Sequence, residues 1–232
     1  MKNAILVKVL RAVFALLILR ALVSIVANYP DYFPPDFQSS FLQGREATFP
    51  GTYQWAFYVH IFSGPLVLLN GLVLMTDAVI RYRSLHRFLG WVQTIALLVF
   101  MLPSGMVMAL QSFGGFWAGL SFMVLSGTTG VCAIVGVVYA SQGKLKQHRQ
   151  WMVRTYVLIC SAVSLRLVSG AAGLVGVTDA ERAYVFAAWM SWVLPLVVWE
   201  IVDRLPKGKF PKPKESQSLA ARKYHNGIDG IG

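Results

Sequence analysis

Residues 88–143 contain no aspartate, glutamate, lysine or arginine, a charge-free run of 56 residues. A soluble domain, in which about a quarter of residues carry charge, seldom goes so long without one. The run is long enough for two membrane spans of about 20 residues and the turn between them. Charge is scarce along the whole chain, at 13% against 56% hydrophobic residues, so the protein is an integral membrane protein. Acids are the scarcer sign, 10 against 21 basic residues, and none forms a run of carboxylates within a span. There is no Gly-rich phosphate loop, no Gly-x-Ser-x-Gly elbow, no dinucleotide fingerprint and no His-x-x-x-His or His-Glu pattern, which argues against catalysis by side chains alone and against zinc hydrolysis. The two cysteines, Cys132 and Cys160, fall at matching depth and read as small apolar core residues.

What the chain does have is apolar segments in windows of about 19 residues, at 9–26, 53–75, 88–110, 118–140, 151–173 and 183–202. The expected fold is all-α: a six-helix polytopic membrane protein, with spans two to five as an up-down four-helix bundle. The first segment is an anchor rather than a cleaved signal, because Arg20 interrupts it and Ile25-Val26-Ala27 is a poor cleavage site. The chain then divides into an anchor helix (1–27), an aromatic and Pro-rich loop (28–52), a five-helix membrane domain (53–203) and a basic tail (204–232). The tail, with Pro206, Pro211 and Pro213 among lysines, has the composition of a disordered segment, and His225 within it has no expected site role.

Basic residues fix the orientation. Three lie in 2–11, three in 77–87, four in 144–154 and seven after 202, which places 17 on one side against Arg45 and Arg182 on the other. The positive-inside rule puts both termini in the cytoplasm, most simply at the cell membrane. The net charge of +11 is then topology plus attraction to anionic headgroups on the cytoplasmic face, and nucleic acid is not an expected partner. A reporter active only outside the cytoplasm should give signal when fused after Gly115 and none after Gly143. Signal after Gly143 would overturn the orientation.

The loop at 28–52 carries Tyr29, Tyr32, Phe33, Phe37, Phe41 and Phe49 among four prolines. It reads either as a cap on the outer headgroups or as a lid over an outer cavity. Pro65, Pro103 and Pro195 each remove a backbone donor, and the carbonyl they free must find a partner within the bundle. Gly64 and Gly71, and Gly127 and Gly130, permit close helix approach.

Two His-Arg steps recur where a polar loop meets an apolar segment, His86-Arg87 and His148-Arg149. They head the third and fifth spans, which are parallel and start from the same face. Neighbouring helices about 10 Å apart place these two on a diagonal of about 14 Å, which two inward imidazoles and an iron would bridge. The specific reading is a b-type haem with His86 and His148 as axial ligands, Arg87 and Arg149 toward its propionates, and a redox protein as partner. The plain alternative is a pair of interfacial anchors beside Trp91 and Trp151. His60 lies about 22 Å above the inner end of its own helix at about 1.5 Å per residue, too far to share that site. With Arg166 at a similar level, and Arg20 as a third member, it suggests an outer site for a small anion. The alternative there is two snorkelling arginines and a histidine bonded to a backbone carbonyl.

Arg154 and Glu200 both fall near the inner boundary, where an ion pair avoids two unpaired charges. If they are partners, Glu200→Gln should lower thermal stability in detergent, and adding Arg154→Gln should recover part of the loss. Strictly additive losses would refute the pairing.

The strings His60-Ile-Phe-Ser-Gly64, Leu85-His-Arg-Phe-Leu-Gly90, His148-Arg-Gln-Trp-Met-Val-Arg-Thr-Tyr156 and Leu165-Arg-Leu167 stand in this order. Over residues 60–200 the chain resembles the predicted-membrane-protein family called domain of unknown function 2306. Trp91 and Gln93 stand where that family would have Arg and Tyr, and Met75 where it would have Gln. The resemblance implies a multi-span fold and brings no established activity. Three functional readings stay open: electron transfer through a haem, a non-enzymatic carrier or accessory subunit for a small anionic solute, and an assembly or scaffold protein that works through membrane-protein partners.

Overall fold

The computed structural model describes residues 2–39, 41–174 and 178–205, with backbone alone for 2–4, 6–8 and 172–174. The basic tail beyond residue 205, His225 included, lies outside the described residues. Two units are distinguished, Met1–Trp199 and Glu200–Gly232. Every regular element described is a helix: α1 (Lys2–Ala27), α2 (Thr52–Leu74), the short α3 (Asp77–Arg81), α4 (Arg83–Ile95), α5 (Leu102–Ala109), α6 (Gly115–Ser141), α7 (Leu145–Ile159), α8 (Ser161–Leu174) and α9 (Ala180–Arg204), with a 3-10 turn at Tyr29–Asp31. A π-helical stretch, Ala96–Met101, joins α4 to α5. Among the described residues six segments are long and apolar enough to cross a membrane, and at most 39% of any segment's apolar window is buried inside the protein. The remainder is the lipid-facing surface that a bilayer, not water, accommodates.

Helix ends depart from the apolar windows at the end that carries the basic loops. The third span begins at Arg83 and the fifth at Leu145, so His86 and His148 lie within helices rather than at their heads. Hydropathy registers apolarity, whereas a helix persists through polar turns as long as its backbone is bonded; the His86 amide donates to the Tyr82 carbonyl at 2.9 Å and that of His148 to Lys144 at 3.0 Å.

Spans two to five contact one another in sequence: α2 packs on α4, α5 and the π stretch, α5 on α6, α6 on α7, and α7 back on α2. α6 and α7 approach closely where Gly136 admits Met152: a Cβ there would lie 2.7 Å from Met152 Sδ. Of the glycines singled out in the sequence, Gly71 is pressed against the Tyr156 ring and Gly130 against Leu102, while Gly64 and Gly127 have nothing within 4 Å of a Cβ position. Midway along the helices an apolar core gathers Ile18, Val67, Leu68, Leu97, Ala133 and Ile159. Just toward the basic end runs a belt of hydrogen bonds. Asn70 Nδ2 donates to Gln93 Oε1 at 3.0 Å and to the Leu89 carbonyl at 2.9 Å, Gln93 Nε2 donates to Val67 at 3.1 Å, and the Tyr156 hydroxyl donates to Leu68 at 3.0 Å. Gln93 is 2% exposed, so each of its polar atoms needs such a partner.

Candidate functional site

At the opposite end the segment between α1 and α2 folds down as a roof. Tyr32, Leu42 and Phe49 pack with Tyr53 and Phe57 of α2 into a buried aromatic cluster. Several hydrogen bonds pin the roof. The Tyr58 hydroxyl donates to the Tyr32 carbonyl at 2.9 Å, Arg45 Nη1 donates to the Gln111 carbonyl at 2.9 Å, and the Tyr29 hydroxyl donates to the Ile61 carbonyl. Ile61 stands four residues before Pro65, so its carbonyl is the one that proline leaves without an amide partner. The sequence opposed a cap to a lid; the segment forms a roof with its own core that also lines a cavity.

That cavity, about 300 Å³, lies beneath Tyr32, Phe41 and Arg45 and between α2, α5, α6, α8 and α9. Its size is at the lower end of small-ligand pockets. The wall is mainly apolar, from residues such as Phe57, Met101, Leu125 and Leu165, and polar groups converge on it: His60, Arg45, Arg166, Tyr53, Tyr184 and Ser126. Among the described lining residues there are two arginines and no acid. Arg45 donates to the Tyr53 hydroxyl at 3.0 Å and Arg166 to the Ala162 carbonyl at 3.0 Å. These neutral partners orient the guanidinium groups without cancelling their charge. Burial pushes the Tyr32 phenol above its ordinary range, with the Asp31 charge adding to the effect, so at neutral pH it is a hydroxyl and not a phenolate.

His60 has the backbone-carbonyl bond the sequence allowed and also faces the cavity. Its Nδ1–H donates to the Met101 carbonyl at 3.2 Å, with Ser104 Oγ at 3.3 Å, and it lines the cavity. The acceptor sits at the end of the π-helical stretch, two residues before Pro103, where the ordinary ladder is disturbed and carbonyls take side-chain partners. Ser104 Oγ donates to Phe100 at 2.6 Å in the same place. Gly105 leaves room for the imidazole, since a Cβ would fall 3.1 Å from His60 Cε1. Arg20 is exposed on α1 and is not among the lining residues. The cation that joins His60 and Arg166 is Arg45, which the sequence reading had placed only as a loop charge.

At the basic end the two repeated histidines are neighbours. The His86 and His148 rings lie 6.4 Å apart between centroids, at 88° to each other. His148 Nδ1 donates to the Gly136 carbonyl at 2.8 Å, which settles its tautomer. His86 Nδ1 is buried without a hydrogen-bond partner among the described residues. Arg87 and Arg149 are exposed. A haem would occupy the space between coaxial imidazoles and extend several ångströms to each side. The two cavities described here, the roofed one and a shallower groove lined by Trp117, Glu181 and Arg182, belong to the other end and take in neither histidine. The ring spacing fits an axial pair, and neither of these two cavities gives a porphyrin a place beside it. Among the described residues no group of three or more His, Cys, Asp or Glu side chains is placed to hold a metal ion.

Arg154 lies over the Trp151 ring at 5.0 Å, and Glu200 pairs with Arg204 at 3.9 Å one helical turn away. Both cysteines are buried, and neither is in a disulfide. Asn70 had no signal in the sequence beyond being an amide in an apolar span, and Gln93 stood out only as a departure from the family pattern.

No curated protein and no solved structure matches the chain. One family does, and its match covers residues 57–202, from the floor of the roof cluster through both histidines to the last span. The chain therefore belongs to DUF2306, a family of predicted membrane proteins.

Proposed function

We propose that the roofed cavity binds a small monoanion with an apolar body, and that the protein is a non-enzymatic carrier or accessory subunit for such a solute. The observation that carries this is the unbalanced lining, two arginines and a histidine with no acid among the described residues, set in a mainly apolar wall. Arg45 is half-buried and Arg166 exposed, and the neutral partners of both leave a place for an anion beside them. With the basic end cytoplasmic, the cavity sits in the outer half of the membrane domain. The solute then arrives from outside or from the outer leaflet.

The test compares three eight-carbon probes on the detergent-solubilised protein: octanoate, octanol and octylamine. Octanoate should raise the unfolding temperature in a saturable way, octanol should do so weakly, and octylamine not at all. Equal stabilisation by all three would mean that apolar contact alone is at work, and no stabilisation by any would leave the scaffold reading. The haem reading rests on the spacing of His86 and His148 alone.

A further inference from the structure

We infer that His86 and His148 form a binding site for a monovalent soft metal ion, Cu(I), near the basic end of the membrane domain. The inference is independent of the roofed cavity. Two imidazole nitrogens bound trans to one ion at about 2.0 Å would set ring centroids about 6.3 Å apart, once the distance from nitrogen to ring centre is added. The observed separation is 6.4 Å. A tetrahedral angle at the metal would draw the rings about 1 Å closer at the same bond length, so the spacing favours two ligands in line.

The available nitrogens agree with this. A neutral imidazole that donates from Nδ1 keeps its lone pair on Nε2, so the bond from His148 Nδ1 to Gly136 turns Nε2 into a donor to a metal, the arrangement by which protein groups orient a ligating histidine. His86 Nδ1 is buried with no partner among the described residues, and a buried polar atom in that condition calls for one. The neighbourhood then selects the ion. Because no third His, Cys, Asp or Glu joins the pair in a metal-binding group among the described residues, zinc lacks its usual set of four ligands. Met152, one turn beyond His148 on α7, packs its sulfur against the same Gly136, and thioethers favour cuprous copper. Arg87 and Arg149 stand next in sequence to the two histidines, so a single positive charge is opposed less than a double one.

The test is competition for Cu(I) between the purified full-length protein and a bicinchoninate chelator, under reductant and without oxygen. The wild type should withdraw one equivalent of copper. His86→Ala should weaken binding more than about 100-fold, beyond what loss of an outer partner costs, and His148→Ala should do the same, while His60→Ala should bind as the wild type does. Should His148→Ala fail to fold for want of its Gly136 bond, His86→Ala decides alone, since its Nδ1 has no hydrogen bond to lose among the described residues. Failure of the wild type to compete, or undiminished binding by His86→Ala, would overturn the site. A low-spin haem spectrum from protein made in haem-replete cells, abolished by the same two substitutions, would overturn it in favour of the porphyrin.

Discussion

Alanine at Gly71 should destabilise the protein, and alanine at Gly64, two turns earlier on the same helix, should stabilise it. Replacing a glycine inside a helix by alanine ordinarily gains about 0.5–1 kcal/mol. At Gly64 nothing lies within 4 Å of the added carbon, so that gain stands. At Gly71 the carbon would sit 2.4 Å from Tyr156 Cε2 and 2.5 Å from Cδ2. The ring cannot swing aside cheaply, because its hydroxyl is bonded to the Leu68 carbonyl at 3.0 Å and the residue is 6% exposed. Overpacking of this kind costs about 1–3 kcal/mol, which outweighs the propensity gain, and separation of α2 from α7 would add to it. Thermal unfolding in one detergent, with Tyr156→Leu as the partner in a double-mutant cycle, reads both signs. If Gly71→Ala proves as stable as Gly64→Ala, the close approach of these helices is wrong.

Arg166→Gln should remove most of the octanoate response. Hydrogen bonds to a charged group contribute about 1.5–3 kcal/mol, so affinity should fall about 10- to 150-fold while the unliganded protein unfolds near its original temperature, because the bond lost is one to Ala162 within the same helix. Arg45→Gln should weaken binding too, but it also cuts the ties to Tyr53 and Gln111 that hold the roof, so its unliganded form should unfold earlier. Arg20→Gln should change neither quantity. Unaltered octanoate binding by Arg166→Gln would sink the anion reading, whatever the other variants do.

The six spans were legible because hydropathy is a sum over residues that needs no knowledge of neighbours. Proximity is harder. His86 and His148 lie on separate spans, yet both begin at the same end and carry the same His-Arg step, and this was enough to consider them together. Arg20 and Arg166 are alike as letters in apolar spans. They differ in which way each points around its helix, and α1 packs at the margin of the other spans, so only Arg166 reaches the cavity. Arg45 was hidden for the opposite reason: it belongs to a loop, and its place depends on how the aromatic roof folds. The π stretch at Ala96–Met101 has no signature beyond Pro103 close by, although it presents the carbonyl that holds His60. Glycines announced close packing without saying where, since Gly71 and Gly64 read identically until a partner ring is placed beside one of them.

The Asn70–Gln93 belt and the apolar core above it separate the roofed cavity from the paired histidines. Along α2 the order is His60, then Val67 and Leu68, then Asn70; along the third span it is Met101, Leu97, Gln93, His86. Polar side chains in the belt bond to one another and to backbone carbonyls, Asn70 to Gln93 and Leu89, Gln93 to Val67 and Tyr156 to Leu68. The roofed cavity and the histidine pair thus stand at opposite ends of a packed, hydrogen-bonded layer. For the solute proposed above, any path along the helices from the roof to the basic end meets this layer, where α2 packs on α4 and α7.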